Sequence, residues 1–274
     1  MPPWPRPWRP KSLPSPDILA GDALHHAQAG LRALAGLAPS PVLESRLERA
    51  AALLPRLPRQ PLLEDANWAA LLDAVTVQET QLFRSPAQLE LIERRLPPLL
   101  LRARAEGRPL RMLSAGCATG EEAFTLAAIG LHQARAHAPG AAVEVVGVDV
   151  SRPALRSAAE GIIGLRMGAP LASVPEHYRP WLEGEGGKPL LHPSLRAALR
   201  FERASLLELP ASLGEFDVIL CRNVLIYMDD MARRQVLAGL AARLRPGGIL
   251  ALGVTDSAPG GAFRPAGHAV FDHG

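Results

Sequence analysis

Residues 110–122 read LRMLSAGCATGEE. An apolar strand runs into small residues and then into a helix start, the order found in Rossmann-type nucleotide sites. Gly116 and Gly120 permit close approach of a ligand to the backbone, and the helix start that follows offers free N–H groups. The next strand, VEVVGVDV over 143–150, ends with Asp149, a carboxylate able to accept hydrogen bonds from two ribose hydroxyls. The loop lacks a full G-x-G-x-x-G. Asp149 also lies 33 residues beyond Gly116, more than the about 20 of dinucleotide folds. That spacing counts against a nicotinamide cofactor and fits a longer first helix. Thr119 and Glu122 have the T-x-x-E spacing of a capping box. Glu122 therefore reads either as a helix cap or as a carboxylate facing a ligand's amino group.

Outward from this loop, strands and helices alternate. EEAFTLAAIGLHQARA (121–136) and SRPALRSAAEG (151–161) read as helices, the second with Ser151 as N-cap and Pro153 in its first turn. FDVILC (216–221) is a buried strand. DDMARRQVLAGLAARLR (229–245) is a helix with acids first and arginines last, and ILALGV (249–254) closes the series as a strand. Such alternation predicts an α/β fold with a parallel, doubly wound sheet over 108–274. Residues 164–203 interrupt the rhythm and are expected to form an inserted, partly β subdomain.

Before the α/β region, residues 17–73 read as a small helical domain. Apolar residues recur with a period near 3.6 from Val42 to Leu54, and a second helix is expected from Glu64 to Val75. Residues 74–107 comprise a polar link and a helix, Pro86 to Ala105, that Pro97 and Pro98 should kink or restart. The first 16 residues hold seven prolines together with Arg6, Arg9 and Lys11, a composition of disorder or polyproline II.

The net charge is +3 over 274 residues, and the pI is about 9.3. This mildly basic balance favours an acidic partner and carries no nucleic-acid signature. Cys117 and Cys221, the two cysteines, make neither a disulfide framework nor a metal cluster. No apolar run reaches about 18 residues, so no membrane insertion is expected. The N-terminus lacks the apolar region of a secretory signal. The expectation is a cytoplasmic protein, with a monomeric state left open.

Six segments together resemble one family: ETQLFR (79–84), SAGCATGEEAFTLA (114–127), VGVDVSRPALRSA (146–158), FDVILCRNVLIYM (216–228), LRPGG (244–248) and F…HAVF (263–271). They are similar to the CheR-type chemotaxis-receptor glutamate O-methyltransferases over about residues 74–274. The resemblance implies a Rossmann-like class I S-adenosylmethionine-dependent methyltransferase domain with an N-terminal helical domain and a β-subdomain. It implies S-adenosylmethionine as cofactor, S-adenosylhomocysteine as product, and a helical Glu/Gln-rich segment of a chemoreceptor-like protein as partner.

By the same resemblance Gln78, Thr80 and Arg84 would contact the cofactor from the linker, with Gly116 in the glycine loop. Glu122 would meet the methionine ammonium and Asp149 the ribose. Ser205 and Leu206 would lie near the adenine, with Asn223 and Val224 beside the cofactor. Arg84 and Tyr227 would flank the methyl group and the substrate carboxylate. Several positions depart from the family pattern: Gln78 and Ser205 stand for Asn, Leu82 for an aromatic, Met228 for Phe and Asp256 for Glu. Arg94, Arg95, Arg102 and Arg104 on the helix after the linker are candidates for docking an acidic receptor. Other readings remain open at this level: the same fold acting on another protein or a small molecule, or a non-catalytic cofactor-binding signalling module.

Overall fold

A computed structural model describes residues 16–163, 170–256 and 258–274. The expected Pro/Arg-rich tail lies outside these residues except for Pro16. The chain begins with α1 (Pro16–Ala35), α2 (Pro41–Arg49) and α3 (Ala66–Val75), followed by α4 (Pro86–Ala105). The α/β region then runs β1 (Leu110–Ala115), α5 (Glu121–His137), β2 (Val143–Asp149) and α6 (Arg152–Glu160). After it come α7 (Arg179–Leu182), α8 (Pro193–Ala197), β3 (Leu199–Arg203), β4 (Phe216–Cys221), α9 (Asp230–Ala241) and β5 (Leu244–Leu252). A hairpin of β6 (Phe263–Gly267) and β7 (Val270–His273) ends the chain.

The sheet order is β3-β2-β1-β4-β5-β7-β6. Strands β1 to β5 pair in parallel, and β7 is antiparallel to both of its neighbours. The chain leaves β1 toward β2 on one side and returns on the other side with β4. The loops leaving β1 and β4 therefore diverge, and a crevice opens at the carboxyl ends of these strands.

Side chains alternate across the sheet, as the two-residue strand period requires. Met112, Val145, Val218 and Leu220 face α4 and α5, where Ile92, Leu96, Phe124 and Ile129 complete one core. Leu113, Val146, Ile219 and Leu250 face the opposite side and pack with Val236 and Leu240 of α9. A third core lies in the N-terminal unit around Leu31, Leu47, Trp68 and Leu72, and Val150 at the end of β2 packs against it. Among the ties of this unit to the α/β region are two ion pairs, Arg152 with Asp73 at 2.6 Å and Arg32 with Asp229 at 2.6 Å.

Three expectations need correction. The helix expected over Val42–Leu54 ends at Arg49, and Ala51–Arg56 continues as a tighter 3-10 helix. Pro55 supplies no donor and its ring crowds the carbonyl four residues earlier, which disfavours an α-helical turn there. Helix α4 runs unbroken through Pro97 and Pro98, with Leu96, Leu99 and Leu100 buried around them. Finally, residues 170–198 form short helical turns with one isolated bridge, Glu183 with Pro189, instead of a β-subdomain. Leu199–Arg203 does form a strand, but it joins the main sheet beside β2.

Asp217 anchors the end of the sheet remote from the crevice. Its side chain is fully buried and accepts from Arg108 at 2.8 and 3.0 Å and from the Arg111 backbone N–H at 2.9 Å. Asp217→Ala strands these buried donors and is expected to cost about 3–5 kcal/mol, read as a lowered urea midpoint.

Candidate active site

The crevice holds a pocket whose walls come from five places: the turn after β1, the end of β2, the turns after β3 and β4, and the linker between α3 and α4. A sixth wall comes from the N-terminal unit. The connection between α1 and α2 bridges Leu37 to Met228, and the Ala38 N–H donates to the Tyr227 carbonyl at 2.8 Å. Ala38 and Val42 consequently border the pocket.

The turn after β1 depends on glycine. Gly116 has φ +80°, and a Cβ there would lie 2.4 Å from Val224 Cγ2. The turns from β1 and β4 can meet because that side chain is missing. Backbone strain gathers around the same pocket. Phe83, Ser85, Ala118 and Asn223 are non-glycine residues with φ between +48° and +61°, a conformation that persists only where surrounding contacts enforce it.

Asp149 supplies one such contact. Its Oδ2 accepts the Ala118 N–H at 2.9 Å and its Oδ1 accepts the Ser151 N–H at 2.9 Å. Burial pushes the Asp149 carboxyl above the usual carboxylate range, outweighing the backbone hydrogen bonds that pull it down.

Glu122 is buried and holds one partner on each carboxylate oxygen. Ser114 Oγ donates to its Oε1 at 2.7 Å, and Arg222 Nε donates to its Oε2 at 2.6 Å. This excludes the capping-box reading. Helix α5 starts one residue later than that reading requires, with Gly120 as N-cap, and Thr119 Oγ1 bonds the Glu121 carboxylate at 2.7 Å.

Thr80, Arg84, Gly116, Glu122, Asp149, Leu206, Asn223, Val224 and Tyr227 all border this one pocket. The Arg84 carbonyl accepts from Arg222 Nη1 at 2.6 Å, whereas its guanidinium has no protein partner among the described residues. Gln78 and Ser205 do not border the pocket. Gln78 Nε2 bonds Ser151 Oγ and Thr76 Oγ1, tying the linker to the start of α6. Ser205 Oγ accepts the Leu207 N–H at 3.2 Å and faces a separate groove beside α1 and α9.

Sequence reasoning passed over Arg222 and Gln88. Arg222 follows a six-residue buried strand directly, and an arginine so placed is rarely buried unless paired; that was the available signal. Two of the four arginines in the basic row of α4 are already paired. Arg95 is paired with Asp272, and Arg102 bonds the Pro246 carbonyl and pairs with Asp217. At 1.5 Å per residue, Arg102 and Arg104 lie about 27 Å or more along the chain axis from Arg84. They therefore do not form a docking face at the pocket. Cys117 and Cys221 sit fully buried in the strand ends beneath the pocket, and burial pushes both thiols up.

The chain matches the family model described as CheR methyltransferase, SAM binding domain, over residues 78–265. It is 34% identical over 191 residues to chemotaxis protein methyltransferase 1 of Pseudomonas aeruginosa, covering 68% of this chain and 69% of that protein. To a chemotaxis protein methyltransferase of Vibrio anguillarum it is 33% identical over 195 residues, covering 70% and 69%. To the probable biofilm formation methyltransferase WspC of Pseudomonas putida it is 34% identical over 195 residues, covering 68% and 43%. The pocket suits S-adenosylmethionine chemically. It brings two acidic side chains, Asp149 and Glu122, to a turn that a Cβ at Gly116 would fill, and the ligand carries hydroxyl and ammonium donors.

Gly116→Ala should destabilise the fold by about 1–2 kcal/mol from the left-handed backbone alone, with the Val224 contact adding to it. In thermal unfolding, a Val224→Ala change in the same chain is expected to recover the contact part only.

Proposed function

The chain belongs to the CheR methyltransferase family, and from that membership we propose that it methylates glutamate side chains of a chemoreceptor-like signalling protein. The observation that carries the reading is the Arg84 guanidinium, which has no partner among the described residues and shares a pocket with Tyr227, Glu122 and Asp149. The relatives' names add support, since several are chemotaxis protein methyltransferases.

In this reading Asp149 holds the ribose hydroxyls with the lone pairs left over from Ala118 and Ser151. Glu122 receives the methionine ammonium. Leu206 and Val224 provide apolar walls, and Asn223, Thr80 and Gly116 complete the cradle. Gln78 and Ser205 are left to hold the linker and a neighbouring turn. Bound there, S-adenosylmethionine supplies a methyl group activated on a sulfonium. A glutamate acceptor is ionised near neutral pH, so no residue has to act as base. The protein's task is orientation and exclusion of water. Arg84 fixes the acceptor carboxylate through paired N–H donors, and the Tyr227 hydroxyl donates one further hydrogen bond. The acceptor is a Glu/Gln-rich helical segment that reaches the mouth of the pocket past Val42 and Ile226, both exposed.

A second reading keeps the chemistry and changes the receptor system, because a relative named for biofilm formation is equally similar in sequence. Both readings are tested by incubating the chain with methyl-labelled S-adenosylmethionine and candidate receptors from each system. Base-labile label on receptor glutamate is the expected result, and label on any other residue type would sink the assignment.

Arg84→Ala is expected to lower the methyl-transfer rate about 10²-fold or more, the usual penalty for lost orientation, with the unfolding midpoint unchanged. The raised Asp149 carboxyl sets a pH dependence. As pH falls from 7, this group takes up a proton sooner than an ordinary aspartate and loses acceptor capacity. Cofactor affinity measured by calorimetry should therefore weaken on acidification, and Asp149→Asn should bind weakly at every pH without that slope.

A further inference from the structure

Arg222 reaches both halves of the pocket from one buried position. Its Nε donates to Glu122 at 2.6 Å, and its Nη1 donates to the Arg84 carbonyl at 2.6 Å and to Gln88 Oε1 at 3.2 Å. Gln88 lies in the first turn of α4, and its Nε2 donates onward to the carbonyls of Leu252 at 2.9 Å and His268 at 2.7 Å. One guanidinium thus joins the start of α5, the end of the linker and, through Gln88, the strand that flanks β4.

The linker needs such a hold. Arg84 stands between Phe83 at φ +51° and Ser85 at φ +61°, two left-handed residues in a row with one between. Strain of this kind relaxes unless the surroundings over-determine the conformation. The Phe83 N–H is held by Thr125 Oγ1 at 3.1 Å, and the Arg84 carbonyl is held by Arg222. Both holders face the same short segment, and one of them also grips the carboxylate read above as the ammonium acceptor.

We propose that Arg222 is a positioning residue that couples cofactor occupancy at Glu122 to the placement of Arg84. An ammonium arriving at Glu122 shares that carboxylate with Arg222 and so bears on the fork whose other arm sets the Arg84 peptide. The inference rests on the reading of Glu122 as the ammonium acceptor, and its test separates the two.

Among residues 83–91 only Arg84 borders the pocket, so a ligand in the pocket can reach the amides of 85–91 only indirectly. Hydrogen exchange over residues 85–91 is measured on the full chain with and without S-adenosylhomocysteine, alongside calorimetry of the same ligand. In the unaltered chain the ligand is expected to slow this exchange about tenfold, an ordinary size for coupling between two sites. Arg222→Lys keeps a positive charge near Glu122 but loses the fork. At ligand concentrations that calorimetry shows to saturate it, the slowing is expected to disappear. Arg222→Gln, which loses the charge and the fork together, serves if Arg222→Lys does not fold, and should show the same loss. A purely structural role would speed exchange equally with and without ligand. Slowing that survives in either folded variant, or ligand binding without slowing in the unaltered chain, overturns the coupling and leaves the cofactor site standing. Binding to the unaltered chain that Glu122→Gln leaves undiminished overturns the Glu122 reading, and the coupling falls with it.

Discussion

A carboxylate and a guanidinium removed from water must satisfy each other and all their remaining hydrogen-bonding capacity, because a charge buried without partners is far more costly than the pair is beneficial. Glu122 and Arg222 meet most of that demand inside this chain. Their partners are Ser114 on β1, Gln88 on α4 and the linker carbonyl at Arg84. Each partner sits on a different element, so satisfying the pair fixes how those elements meet. The strand order supplies the crevice, and this pair sets the chemistry of its floor.

The N-terminal helical unit is part of the same construction. Its own core is apolar and self-contained around Trp68, yet the connection between α1 and α2 lends backbone to a wall of the pocket. The chamber is therefore completed by residues that lie more than a hundred positions before the turn they touch. Ion pairs at Arg32–Asp229 and Arg152–Asp73 act at two separate points of this contact, and exposed pairs of this kind add orientation more than stability.

Much of this was legible in the sequence because it is local. A strand ending in small residues, an acid at the end of the next strand and alternating strands and helices each leave a short-range pattern, and those patterns placed Gly116, Asp149 and the parallel sheet. What could not be read is long-range. Glu122 looked equally like a cap because the T-x-x-E spacing is silent about whether the helix starts at Thr119 or after Gly120. Gln78 and Ser205 were carried over by position, but a hydrogen bond to Ser151 and a local turn contact absorb them. The inserted segment was read as β because glycines and alternating apolar residues fit both a hairpin and a run of tight helical turns. In the basic row of α4, Arg95 and Arg102 are paired with Asp272 and Asp217, acids that lie far along the chain and that no local pattern announces.

The two cysteines beneath the pocket carry a practical meaning. Oxidants and alkylating reagents attack the thiolate, and at Cys117 and Cys221 burial holds that form back while also barring access. Both conditions shield these positions in the folded protein from peroxide and from maleimides. A thiol dye therefore reports opening of the fold, and a ligand that stabilises the fold slows it, which makes these residues built-in sensors of unfolding.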